Sequence, residues 1–355
     1  GSGAPLWLDT ELVTPGLVDA HTHAVWAGSR HHEYAQKLAG EGYEAIAKAG
    51  GGIRSTMAAV RAASDDELTA IARARLGRMA AGGVTTVEVK SGYGLSPAHE
   101  RRQLEAVARL ATEAAMPRLV PTFLALHAIA PEHDGRRGDH IAAMHEALAG
   151  VARDGLARFV DAYVDRAAFS VAEAEPLLAA ARALGLGVRL HAGQFADVGG
   201  AELAARLGAA SADHLEQVSP AGIEAMARAG VAAVLLPVAC FTLGQAPPPV
   251  AALRAAGVSL VVASDANPGT APTESLPLAL AFAARLYGLT PSECLLGATR
   301  HAARSLGLAG VAGVLAPGAS ADLVAWGLPH EEALVQPWGR PPVTAVVARG
   351  QLVAG

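Results

Sequence analysis

Eight short apolar runs, each followed by a stretch of helical character, constrain this chain more than any other feature. The runs are Leu12–His23, Val84–Lys90, Arg118–His127, Phe159–Asp165, Val188–His191, Ala210–His214, Val231–Pro237 and Ser259–Asp265. Most show little alternation, the pattern of strands covered on both faces by helices. Helix starts stand between them. Ser64 with Glu67, Ser170 with Glu173 and Thr290 with Glu293 have the spacing of a capping box. Pro97, Pro220 and Pro291 each follow a Ser or Thr, at the favoured first helical position. Eight strand–helix repeats predict an α/β chain folded as a (β/α)8 TIM-like barrel. A doubly wound sheet is the alternative, but no glycine-rich phosphate turn follows an early strand.

The tail loses the helical period, and strands are expected at Ala321–Trp326 and Thr344–Gly355. The expected division is residues 1–11 as the remnant of an N-terminal β segment, 12–312 as the barrel and 313–355 as a C-terminal β-strand segment. The two ends would form a small β-sandwich appendage. So few residues precede the first barrel strand that the N-terminal strands of that sandwich are expected to be missing, leaving open edges on the C-terminal ones.

Composition narrows the function. Of 355 residues, 52% are hydrophobic and 17% charged, enough for a large core and against wholesale disorder. Lys and Arg number 28 against 33 Asp and Glu, with 4% aromatics, so no nucleic-acid partner is expected. The most apolar run, Val231 to Leu243, is too short for a membrane span and is broken by Pro237. No basic region followed by an apolar core opens the chain, so no signal peptide is expected. Two cysteines, Cys240 and Cys294, cannot build a disulfide framework, and a reducing cytoplasm is the natural location.

Thirteen histidines remain, and several stand at strand ends. His21 and His23 close the first run; residues two apart on a strand point to one face and can converge on one ion. His191 ends the fifth run, His214 the sixth and Asp265 the eighth. In a barrel these ends share one mouth, where barrel active sites lie. Three imidazoles and a carboxylate there could hold a metal and leave a position for water.

The run from Val13 to His23, with Gly313–Gly318 and Ala321–Val324, resembles the opening and closing motifs of the amidohydrolase superfamily. Within it the chain resembles the imidazolonepropionases, cyclic-amide hydrolases of histidine degradation. The matching segments are Trp26–Arg30, Gly50–Ile53, Val89–Leu95, Leu126–Ala128, Ala212–Leu215, Ser264–Thr270 and Pro272–Ser275. The resemblance runs from about Leu12 to the C-terminus. It implies one metal ion, zinc or iron, held by His21, His23, His191 and Asp265. It implies catalytic roles for Asp265 and His214, and substrate binding by Arg30, Tyr93, His127, Gln194, Asn267, Gly269 and Thr270. Gln194 stands where some members have Glu; an amide cannot take a proton, so it is given ring recognition. Asn267-Pro268-Gly269 is also ordinary turn chemistry, so that segment is read as both turn and binding loop. Lys90 as a carboxylated bridge between two metals is disfavoured, because it sits beside the substrate motif.

The implied reaction is hydrolysis of 4-imidazolone-5-propanoate to N-formimidoyl-L-glutamate by a metal-activated water, on a homodimeric enzyme. Two rivals are kept. Another amidohydrolase or aminohydrolase of a small heterocycle would keep the metal set without needing Arg30. A non-catalytic metal-binding protein on the same fold would turn nothing over.

Overall fold

The computed structural model describes residues 9–42, 45–46, 49–114, 116–166, 168–339 and 341–354. Residues 1–8 of the expected N-terminal segment lie outside them. Eight parallel strands pair in sequence order: β2 (Leu17–Asp19), β3 (Val84–Lys90), β4 (Arg118–Leu126), β5 (Phe159–Val164), β6 (Gly187–Ala192), β7 (Ser211–His214), β8 (Ala232–Leu235) and β9 (Leu260–Val262). The ring is drawn together between its last and first strands by a Thr22–Ala266 bridge. Asp19 adds to that seam, accepting from Ser264 N–H at 3.1 Å and from its hydroxyl. The chain is therefore a (β/α)8 barrel. All three expected capping boxes are formed, and Pro97, Pro220 and Pro291 each open a helix.

Two expected strands are corrected. The run Leu12–His23 is not one strand. β1 (Leu12–Pro15) pairs antiparallel with β10 (Leu323–Trp326), and only β2 enters the barrel. The crossing takes one residue, Gly16. A Cβ there would lie 2.1 Å from the Thr85 hydroxyl, so only glycine lets the two sheets meet this closely. Thr344–Gly355 is likewise a hairpin, β11 (Val343–Ala348) and β12 (Gln351–Ala354). Arg349 and Gly350 between them have φ of 51° and 77°, the two positive values a tight primed turn requires. Among the described residues the appendage is one four-stranded layer, ordered β1-β10-β11-β12. The C-terminal strands thus have a partner in β1 on one side, while β12 stands at the other edge of the layer. Trp326, fully buried, donates its indole N–H to Thr14 Oγ1 at 2.9 Å across this sheet.

The core divides in two. A large cluster fills the space between strands and helices. A smaller one, including Val18, Val120, Phe159, Val234 and Val261, gathers residues near the strand starts with Ala302, Ala303 and Leu306. Higher in the barrel the inward positions are charged. Glu88, Lys90, Asp161, Arg189 and Asp213 are fully buried there. Lys90 Nζ lies 2.8 Å from both Glu88 Oε1 and Asp161 Oδ2, which gives it a structural pairing in place of a bridging role. Arg189 donates to Ala20 O at 2.9 Å and lies 3.7 Å from Asp213. Three acids and two bases give this layer one formal negative charge, directly beneath the strand ends.

Candidate metal centre and active-site cleft

The strand-end residues converge. Ligand atoms of His21, His23 and His191 lie within 4.8 Å of one another. Asp265 Oδ1 is 3.5 Å from both His21 Nε2 and His23 Nε2, and His191 Nε2 is 3.4 Å from His23 Nε2. The charged layer below aims these rings. His21 Nδ1 lies 2.7 Å from Asp213 Oδ2, and His191 Nδ1 lies 3.1 Å from Asp161 Oδ2. Asp213 takes the His21 Nδ1 hydrogen and turns its Nε2 lone pair to the centre, while Asp161 accepts from His191 backbone N–H at 3.2 Å and stands beside its Nδ1, the usual kind of support for a histidine that can bind a metal. Burial, with nearby Lys90 and the other rings, holds His21 and His23 well below the ordinary histidine range. They are therefore neutral, as ligands must be. His21 Nε2 is buried with no hydrogen-bond partner among the described residues. Converging lone pairs with no hydrogen between them fit a cation.

Asp265 is shaped for the site by strain. Its φ is 53°, unusual for a residue with a side chain, and its N–H donates to His21 O at 3.0 Å. Burial raises its carboxyl well above the ordinary value when no cation is beside it. Burial would raise Asp161 too, but His191 and Lys90 outweigh it and hold that carboxylate low.

A small cleft opens above these side chains, lined by His23, His191 and Asp265 together with Arg30, Tyr93, His127, Gln194, His214, Asn267 and Thr270. Ten of the twelve residues singled out from the sequence thus line it. His21 lies just beneath the lining, and Gly269 lies against Arg30. A Cβ on Gly269 would fall 2.1 Å from Arg30 Nη1, so this glycine makes room for the guanidinium. Glu33 holds the other edge of the fork, accepting from Arg30 Nε at 2.8 Å and from Gly52 N–H at 3.0 Å. His127 Nδ1 donates to Gly92 O at 2.7 Å, and burial lowers the ring to about 3, leaving Nε2 an acceptor. Gln194 Oε1 accepts from the Tyr163 hydroxyl at 2.6 Å. Asn267 spends its amide inside its own loop, accepting from Gly269 and Thr270 N–H at 2.8 Å and donating to Asp265 O at 2.7 Å. Of its two expected parts, that of the turn is the one these contacts display.

The sequence reading missed the supports. Glu100 accepts from Gly94 and Leu95 N–H at 2.7 Å each, and Gln103 from Tyr93 N–H at 3.0 Å, so the helix after β3 fixes the Tyr93 loop. Asp161, Asp213, Glu88 and Arg189 were passed over as parts of apolar strands. Their signal was a polar residue at every second position, as in Thr86, Glu88 and Lys90, or Arg189 and His191.

The chain belongs to the amidohydrolase family, which it matches over residues 12–353. It resembles, in fold, the atrazine chlorohydrolase of Arthrobacter aurescens TC1 complexed with zinc (TM-score 0.68, 18% identity, covering 96% of this chain and 83% of that one). It also resembles an adenosine deaminase of Xanthomonas campestris with bound zinc (TM-score 0.67, 20% identity, 96% and 80%). Its sequence relatives are more specific. The imidazolonepropionase of Paracidovorax citrulli is 49% identical over 344 residues, covering 96% of this chain and 82% of the relative. That of Ralstonia nicotianae is 49% identical over 352 residues, covering 99% and 84%. Among the described residues no helix is long and apolar enough to cross a membrane.

Proposed function

We propose that this enzyme hydrolyses the ring amide of 4-imidazolone-5-propanoate to N-formimidoyl-L-glutamate, with one metal ion held by His21, His23, His191 and Asp265. The observation that supports the reading is a cluster of three imidazoles and a carboxylate linked by contacts of 3.4 and 3.5 Å, sharing its cleft with an arginine seated on a glycine. The donor set of imidazoles and a carboxylate suits zinc or iron equally. When bound, such an ion supplies Lewis acidity, acidifying the attacking water and polarising the ring carbonyl.

The remaining work belongs to the chain. Arg30 grips the propionate carboxylate through charge-assisted hydrogen bonds, its fork steadied by Glu33 and Gly269. Tyr93 and His127 flank the ring. Gln194, steadied by Tyr163, recognises its polar edge, and the Asn267–Thr270 loop closes over it. As the water oxygen bonds to the ring carbonyl carbon, Asp265 takes the water's proton. His214 donates a hydrogen bond to the carbonyl oxygen as charge develops there. The C–N bond then breaks, and Asp265 returns the proton to the departing nitrogen. Remote binding of the propionate supports chemistry at the carbonyl. The buried free thiols of Cys240 and Cys294 support a cytoplasmic location, and a homodimer is part of the proposal by family resemblance.

The test is metal analysis together with turnover of freshly made 4-imidazolone-5-propanoate. One metal per chain, hydrolysis, and loss of hydrolysis on chelation are expected. Full metal loading with no hydrolysis, or deamination of a purine- or pyrimidine-like ring in its place, would overturn the assignment.

A further inference from the structure

Behind His214 lies a group of buried polar atoms that the reading above leaves unused. β7 ends at His214, where the chain turns sharply with His214 and Leu215 both at positive φ, 80° and 72°. Neither is glycine, so the backbone is strained at both. Leu215 N–H donating to Ala192 O at 3.0 Å and Gln217 N–H donating to Gly193 O at 2.8 Å hold the turn in place. Its effect is to fold Glu216 back beneath the His214 ring, with Oε2 at 3.8 Å from Nδ1. The Glu216 side chain is fully buried. Apart from Glu216's own backbone N–H, neither its carboxyl oxygens nor His214 Nδ1 has a hydrogen-bond partner among the described residues. Gln245 Oε1 shares that condition, and Tyr287 and Cys240, whose side chains pair with one another, both lie within the electrostatic reach of Glu216.

A buried carboxyl so poorly partnered destabilises a fold. An apolar side chain of the same length would pack this site at lower cost. A strained turn that delivers such a group to the back of a cleft residue is therefore best explained by what it does to that residue.

We propose that Glu216 is the positioning residue for His214, engaging Nδ1 directly after a small closure or through one water, and so presenting an Nε2–H to the cleft. The inference rests on the hydrolysis proposed above and extends it to a residue outside the cleft lining. A neutral imidazole carries one hydrogen, so donation from Nε2 requires Nδ1 to accept. Burial, reinforced by Asp265 and Asp165, lifts the Glu216 carboxyl to about 8. At neutral pH that carboxyl has a hydrogen to give. An approach of about 0.8 Å brings 3.8 Å to hydrogen-bond distance, and one bridging water serves the same end. His214 Nε2–H then meets the carbonyl oxygen with its orientation set beforehand.

The test compares the metal-loaded enzyme with Glu216→Met and Glu216→Gln. Glu216→Met is expected to melt at or above the parent temperature and to keep its metal. Its KM should hold within about twofold while kcat falls by about 100-fold, the pattern of an interaction made in the transition state. Glu216→Gln, whose amide N–H can also donate to Nδ1, should recover kcat to within about tenfold. Nitrogen-15 spectra of labelled histidine should show His214 as the Nε2–H tautomer in the parent and not in Glu216→Met. A Glu216→Met enzyme with kcat within about twofold of the parent would overturn the pairing. So would a loss that follows metal content or KM, or a parent His214 in the Nδ1–H form. If the parent fails to turn over imidazolonepropanoate, the hydrolysis is wrong, and the tautomer measurement still decides for or against Glu216.

Discussion

Replacing Lys90 with methionine would leave Glu88 and Asp161 facing one another inside the barrel with no cation between them. In the native protein the ammonium lies 2.8 Å from each carboxylate, and all three side chains are fully buried. At an effective dielectric of about 20, a unit pair at that distance attracts by about 6 kcal/mol before desolvation. Desolvation cancels much of it, and removing one partner of a buried pair costs about 3–5 kcal/mol. Methionine fills the lysine stem's volume, so little of this loss is a cavity effect. With about 2.1 cal/mol/K of unfolding entropy per residue over 355 residues, the melting temperature should fall by about 4–7 °C. Burial opposes the charged lysine, but Asp161 and Glu88 outweigh it and raise Lys90 above its ordinary value. A raised lysine contributes fully below its unfolded value of about 10.4 and loses the contribution only as pH rises through the folded value. The deficit should therefore be full at about pH 8 and narrow towards acid, where protonation of a stranded carboxyl relieves the repulsion. Calorimetry of metal-free protein measures this without interference from ligand binding. A melting point within about 1 °C of the parent at about pH 8 would refute the view that the layer is held by these pairs.

Three further outcomes follow from contacts described above. Asp213→Asn removes the charge that aims His21 and should weaken metal binding about 10–100-fold in a competition titration; unchanged affinity would show that the carboxylate is not what orients the ring. Gly269→Ala places a methyl on Arg30 and should raise KM about tenfold or more with little change in melting temperature, since φ at 269 is not in the left-handed region. An unaltered KM would separate Arg30 from substrate binding. Thr14→Val leaves the Trp326 indole N–H without its acceptor and should cost about 1–3 kcal/mol in denaturant unfolding, with kcat untouched; no loss would mean that another acceptor takes its place.

The ring of strands and its metal-type ligands were legible because both depend on local pattern. A histidine or aspartate at the end of an apolar run needs only the parallel order of strands to bring it to one mouth, and that order follows from the strand–helix repeat. Capping boxes are local in the same way. The charged layer was not legible. Glu88, Lys90, Asp161, Arg189 and Asp213 are visible as alternate polar residues, but their partners are set by the closure of the ring. Glu88 and Asp161 meet at one lysine across 73 residues of sequence. Nor did Leu12–His23 announce its division, because Pro15 and Gly16 read as punctuation in a strand until Thr85 is known to press against position 16. Glu216 escaped notice for a third reason: two positive φ values at residues with side chains reverse its direction, and no residue preference signals that.

The one-residue passage at Gly16 also governs how this protein can be handled. With no slack between Pro15 and Leu17, and with Gly16 N–H donating to Asp322 O at 2.9 Å and Leu17 N–H to Gly83 O at 3.0 Å, neither a tag nor a spacer can be spliced there without prising one sheet from the other. The exposed turn around Leu315 and Gly318 offers the permissive position instead. A tug on the terminal hairpin would be transmitted through β10 and β1 to the first stave of the barrel, and from there to the histidine pair two residues beyond its end.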